Sequence, residues 1–135
     1  MADIEKVKEY FKADVFAMNM GIEIMKCDAE ESVCALPVTP DLYNAGGKVQ
    51  GGAIFTLADF AFAVAANCEG RHTVSQSASV TFIKPGSGEM LYAKAKKISS
   101  GKSTCHYSVF VTNELDTLIA HITVNGFVVG EKKTE

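Results

Sequence analysis

The sequence contains no tryptophan, only three prolines, and four cysteines, none of which stands in a CxxC pair. Its three histidines (His72, His106, His121) are not clustered with Cys27, Cys34, Cys68 or Cys105 at ligand-like spacings, so no metal site is expected. A disulfide framework needs an oxidising compartment. The opening segment MADIEKVKEYFK is charged from its third residue and has no apolar run of the signal-peptide kind, so four reduced thiols in a cytoplasmic protein are expected. There is no basic excess: 13 Lys and Arg against 16 Asp and Glu leave a net charge of −3, which excludes a general nucleic-acid binder. No apolar run reaches the ~20 residues of a membrane span. Internal repeats, low-complexity tracts and a GxxxxGK[ST] phosphate loop are also missing.

What remains is ordinary soluble-domain composition, 47% apolar and 21% charged over 135 residues, so one domain over residues 1–135 with one real core is expected. Ile4, Val7, Tyr10 and Phe11 recur at helical spacing and predict a short leading helix over about 3–14. Ile22–Cys27 and Ser32–Val38 read as strands joined by the turn Asp28-Ala29-Glu30-Glu31, followed by a loop over Asp41–Val49. The segment GGAIFTLADFAFAVAA then predicts a helix over about 51–67, apolar on every side and therefore buried nearly all round. Four strand-like runs follow, at Thr73–Ile83, Met90–Ile98, Thr104–Thr112 and Leu118–Val129, and a polar tail over 131–135 closes the chain. Strands surrounding one apolar helix imply an α+β architecture, an antiparallel sheet wrapped around a long central helix. The open edges of such a sheet favour pairing with a second copy.

Asp59 breaks the pattern. It is the one charged residue of the apolar helix, and it lies two turns in, too far to cap it. A buried carboxylate without partners costs several kcal/mol by usual estimates, and its pKa rises. One reading is a structural Asp paired with a hydroxyl or amide of the sheet; the other is a general base or nucleophile facing a cleft. Gln50-Gly51-Gly52 marks the start of the same helix, where glycines leave backbone N–H groups bare and the helix dipole suits a developing oxyanion. Eight residues separate Gly51 from Asp59, about 12 Å along a helix. Reacting groups must approach within ~3–3.5 Å, so one copy does not place both on the same carbonyl. Two antiparallel helices from two protomers would, and a site shared across a dimer is expected.

Asn44-Ala45-Gly46-Gly47-Lys48-Val49-Gln50-Gly51-Gly52, followed by Leu57-Ala58-Asp59, resembles the signature of hot-dog-fold acyl-CoA thioesterases, in their phenylacetate-degradation (PaaI-like) branch. The run SQSASVTFIKPGSGEMLYAKA also resembles the family's segment after the helix, and the likeness spans about Val15 to Val129. The resemblance implies a hot-dog fold that hydrolyses a coenzyme A thioester without metal or organic cofactor. By it, Asp59 activates water or attacks the carbonyl, the Gly51 N–H polarises that carbonyl, and Asn44 holds the water or steadies the sulfur side. Ser75 aligns with a hydroxyl that positions the nucleophile in some relatives; its plainer reading is an ordinary strand serine. Gln50 stands where the family usually carries His, thought there to orient the Asn, and a Gln amide also donates and accepts.

Lys94, Lys96 and Lys102 are candidates to hold coenzyme A phosphates, or else are solvated residues that guard a sheet edge. Gly52 adds close backbone approach, and Phe55 and Phe62 are candidates to line an acyl pocket, although helical spacing also fits core packing. His106, His121 and Cys68 receive no catalytic role. The expected partners are an acyl-CoA substrate and further copies of the chain, as dimer and tetramer, with no nucleic acid and no membrane. A hydratase on the same fold would want a His beside the acid, and none is there. The rival from another class is a non-catalytic acyl-CoA or fatty-acyl binding protein.

Overall fold

The computed structural model describes residues 3–131. Six strands form one antiparallel sheet: β1 (Glu23–Cys27), β2 (Glu31–Pro37), β3 (Arg71–Phe82), β4 (Met90–Ser100), β5 (Thr104–Asn113) and β6 (Leu118–Glu131), in the order β1-β2-β4-β5-β6-β3. Inward residues of the central strands alternate with outward ones: Cys105, Tyr107, Val109 and Val111 on β5, with Ile122 and Val124 on β6, are buried against the central helix. That helix, α3 (Gly51–Asn67), agrees with the sequence expectation. The polar tail lies, from Lys132 onward, outside the described residues.

The leading segment differs from the single helix expected. It forms two: α1 (Ile4–Phe11) and α2 (Val15–Met20). Asp14 separates them, its carboxylate accepting from the Ala17 N–H at 3.1 Å, and Gly21 ends α2 in the left-handed region at φ 95°. Val7, Phe11 and Ala17 seat the pair on the core, with Phe11 edge-on to Phe60 of α3 at 5.3 Å. Where the 41–49 loop begins, the chain makes one 3-10 turn at Pro40–Leu42.

The sequence reads β3 and β4 as consecutive runs joined at Pro85-Gly86-Ser87-Gly88, yet they are not neighbours. β3 pairs only with β6, so the connection crosses from one side of the sheet to the other. On the way it bonds to the loop before α3, Val49 N donating to Gly86 O at 2.9 Å. A Cβ on Gly86 would stand 2.8 Å from Val49 Cβ and 3.0 Å from Ile54 Cδ1, so only glycine lets the crossover touch the helix start. β3 is left as a sheet edge, exposed from Val74 to Ser79.

Nor is α3 buried all round. Gly52, Phe55, Thr56, Asp59, Ala63 and Ala66, spaced by three or four residues, make an incompletely buried stripe along its length. The carboxylate at position 59 therefore has access to the surface through this stripe.

Candidate active site

The start of α3 is held by the loop before it. Gln50 takes an extended backbone, its N–H donates to Leu42 O at 2.7 Å, and its side-chain Oε1 accepts from the Gly51 N–H at 3.0 Å. The expectation of bare N–H groups is thus corrected at Gly51, whose donor is capped by the preceding side chain. The N–H of Gly52 has no acceptor among the described residues.

Asn44 shapes the loop itself. Its Oδ1 accepts from Gly46 N at 2.9 Å and Lys48 N at 3.1 Å, while Gly47 adopts φ 79° to complete the turn. Asn44 and Gln50 share no hydrogen bond, so the amide at 50 does not orient Asn44 as the family's His is thought to do. With its oxygen spent on the loop, Asn44 keeps Nδ2 for a ligand.

Two grooves meet at this helix end. One, of about 380 Å³, is lined by Asn44, Lys48, Gly51, Phe82, Lys84 and Pro85, among others. The other, of about 550 Å³, runs along α2 past Phe16 and Met20, Leu42 and Tyr43, and reaches Gln50, Gly52 and Thr56. Thr56 bonds its hydroxyl to Gly52 O at 2.8 Å, so that polar group is already used within the helix.

Asp59 sits half-buried two turns farther along. The Ser75 hydroxyl stands close to its carboxylate and favours the charged form. Register explains how a strand serine gets there: a β-bulge between Ser75 and Ser77 leaves Ser75 opposite Gly126, which faces the helix, while Ser77 turns outward to Asn125. The helix end fixes the same strand. Asn67 donates to Ala63 O and Thr73 O and accepts from Thr73 N at 2.7 Å, clamping β3 two residues before Ser75. Burial raises the Asp59 carboxyl above its ordinary range; the Ser75 hydroxyl offsets part of this, and the negative charge of Asp14 adds to it.

The remaining candidates fall elsewhere. Phe62 is fully buried, edge-on to Tyr107 at 5.4 Å, so it is core and lines neither of the two grooves at the helix start. Phe55 lies half-buried on the Asp59 stripe. Lys94 and Lys96 point outward from β4, opposite Phe110 and Ser108 of β5, on the sheet face away from α3. Lys102 sits in the β4–β5 turn, its carbonyl accepting from Arg71. None of the three lysines joins the helix start within one chain. Cys68 is a packed thiol, pushed by burial up to about 12 and so protonated at neutral pH. His106 bonds Asn125 at 2.7 Å, and His121 stacks on Phe110, both away from Asp59. Sequence reasoning missed Phe16 and Met20, although Asp14 as a cap and Gly21 as a stop would have marked α2. It also missed Lys48 and Lys84, which only the crossover brings to one groove.

This geometry has counterparts in known proteins. The family model described as Thioesterase superfamily matches residues 46–120, the stretch holding the helix start, Asp59 and Ser75. The acyl-coenzyme A thioesterase PaaI of Escherichia coli (strain K12) is 32% identical over 111 residues, covering 82% of this chain and 79% of its own. The solved E. coli PaaI structure superposes with a TM-score of 0.87 at 28% identity, over 93% of this chain and 92% of that one. A hypothetical thioesterase from Streptococcus pneumoniae TIGR4, solved with coenzyme A, gives a TM-score of 0.84 at 26% identity, over 91% and 99%. The fold, the helix signature and these likenesses agree, and the chain belongs to the thioesterase superfamily as a PaaI-like hot-dog thioester hydrolase.

Proposed function

We propose that the protein hydrolyses acyl-coenzyme A thioesters at a site built by two protomers. The observation that carries this reading is the position of Asp59, a half-buried, hydroxyl-supported carboxylate on the same helix whose N-terminus offers backbone donors. The substrate's carbonyl oxygen displaces Gln50 from the Gly51 N–H and takes up that donor, where the helix dipole favours negative charge. Asp59 of the second copy draws a proton from water as it attacks the carbonyl carbon. The C–S bond then breaks and the thiol leaves with a proton. Asn44 Nδ2 faces the water or the sulfur side, and Ser75 holds the carboxylate. No step requires a metal or an organic cofactor.

The shared site follows from the about 12 Å that separates Gly51 from Asp59 along α3, which no side-chain motion closes within one chain. The exposed β3 edge and the incompletely buried α3 stripe are the surfaces for the second copy, with tetramers formed by further pairing. Coenzyme A as the carrier is supported by the name of the E. coli relative and by the coenzyme A held in the pneumococcal structure. Four free cysteines accord with a reducing cytoplasmic setting.

The test is thiol release from aryl-, short-, medium- and long-chain acyl-CoAs by wild type and Asp59→Ala. Turnover that falls by about 10²–10⁴ in the variant is the expected result for a lost general base. Unchanged turnover would remove Asp59 from the mechanism. The capped Gly51 donor favours one second reading, a binding protein that retains acyl-CoA; it would show tight binding with no thiol released by wild type.

A further inference from the structure

The two grooves that meet at the start of α3 differ in charge. In the α2 groove the charged side chain is Asp41, and the rest of the lining is mainly apolar: Phe16, Met20, Leu42, Tyr43 and Ala53. Phe16 is 69% exposed and Tyr43 47%, so large apolar side chains stand open beside the helix end. They are not loosely placed. Ala17 is buried in the core and Asp14 and Gly21 cap both ends of α2, which fixes Phe16 and Met20 one turn apart on the face beside it. The other groove carries two cations, Lys48 and Lys84, and no acidic side chain, with the ring of Phe82 and with Pro85 beneath. Neither lysine forms an ion pair with a described residue.

A coenzyme A thioester has the matching asymmetry. Its acyl arm is apolar, and its other arm ends in phosphates. Gln50 and Gly52 line the first groove and Gly51 the second, so a carbonyl held at the helix start has one arm facing each. Reversing the substrate would set phosphates beside Asp41 and leave both lysines against an alkyl or aryl group, which electrostatics and desolvation oppose.

We infer that the two grooves sort the arms of the substrate: an apolar acyl group lies along α2 against Phe16 and Met20, and the phosphate-bearing coenzyme A arm lies along Lys48 and Lys84. This rests on the thioesterase reading of the same helix end. It makes α2 the specificity element and favours acyl groups large enough to reach it, medium-chain or aryl rather than acetyl.

The test uses one acyl series, acetyl to decanoyl, prepared both as coenzyme A thioesters and as N-acetylcysteamine thioesters, which carry no phosphate. Phe16→Ala/Met20→Ala is expected to lower kcat/KM about tenfold for octanoyl and decanoyl substrates in both forms, and less than about twofold for acetyl. Lys48→Ala/Lys84→Ala is expected to raise KM about tenfold for the coenzyme A forms and to leave the N-acetylcysteamine forms unchanged. Calorimetric titration of free coenzyme A gives a readout apart from turnover: the lysine variant binds weaker and the Phe16/Met20 variant as wild type, with thermal melts confirming that both fold. A wild type that hydrolyses the series while the chain-length profile survives loss of Phe16 and Met20 overturns the inference alone. So does equal coenzyme A affinity with and without the lysines. A wild type that hydrolyses no member of either series overturns the thioesterase reading and this inference with it.

Discussion

The side-chain oxygen of Gln50 accepts a hydrogen bond from the backbone N–H of Gly51 at 3.0 Å, so the first donor of the central helix is covered by the residue that precedes it. A neutral amide in that place neither gives nor takes a catalytic proton; it competes with a carbonyl oxygen for the donor. Gln50→Ala is therefore expected to keep kcat/KM within about tenfold of wild type, against the about 10²–10⁴ lost with a general base. Steady-state kinetics of the two variants side by side check this. A Gln50→Ala protein as impaired as Asp59→Ala would make the amide part of the chemistry.

Ser75→Ala removes the hydroxyl that lowers the Asp59 pKa and leaves burial and Asp14 to raise it further. As the base, Asp59 works only when ionised, so activity falls as pH drops through its pKa. The acidic limb of the kcat/KM profile is expected to move to higher pH in the variant. A limb that stays in place would mean that another group sets it.

Asp59 also links stability to pH. Its folded pKa lies above the ordinary carboxyl value of 3.8, so the folded chain holds this proton more tightly than the unfolded chain. The stabilisation from that proton is complete below the unfolded value and is lost as pH rises through the folded one. Above that folded value the wild type carries a half-buried charge that Asp59→Asn does not. The variant is expected to be more stable there by about 0.5–2 kcal/mol, the usual gain on relieving a functional site. Urea melts at neutral and acidic pH should show that gap closing toward pH 3.8. A gap independent of pH, or a less stable variant, would contradict the assignment.

The central helix was legible to its end residues because an Ala-, Leu- and Phe-rich apolar run starts after Gln50 and ends at Asn67. Asp59 stood out against that background for the same reason. The strand runs were legible from their alternation and turns, but the order in which they pair was not. Nothing local in the runs or their turns announces that β3 crosses to the far edge beside β6. That crossover brings Lys84 and Pro85 into the groove that Gly51 lines, so this part of the lining was hidden with it. Lys94 and Lys96 show the reverse: alternation with Ala93 and Ala95 placed them together on an outward face, and the strand order shows that this face is remote from the helix start. Ser75 was legible as an aligned hydroxyl, whereas the bulge that turns it toward the helix depends on pairing with Gly126 and Asn125.

The most direct test of a site shared between two protomers is complementation. Gly51→Pro deletes the proposed donor with little disturbance: proline suits the first position of a helix, and Gln50 already has the extended backbone, φ −58° and ψ 135°, that a following proline requires. The added atoms meet the Phe82 ring, whose Cζ stands 3.1 Å from a Cβ at this position and which is 53% exposed and free to shift. Alone, Gly51→Pro is expected to lose about 10²–10³ in kcat, as for loss of an oxyanion donor. Asp59→Ala alone is expected to be similarly impaired. Co-expressed, the two form mixed dimers in which one site keeps both an intact donor and an intact carboxylate. Thiol release is then expected to return to roughly a quarter of the wild-type level, from half the dimers with one working site of two. Mixed dimers, verified by distinct affinity tags, that stay as inactive as either parent would place donor and base in the same chain and contradict the shared site.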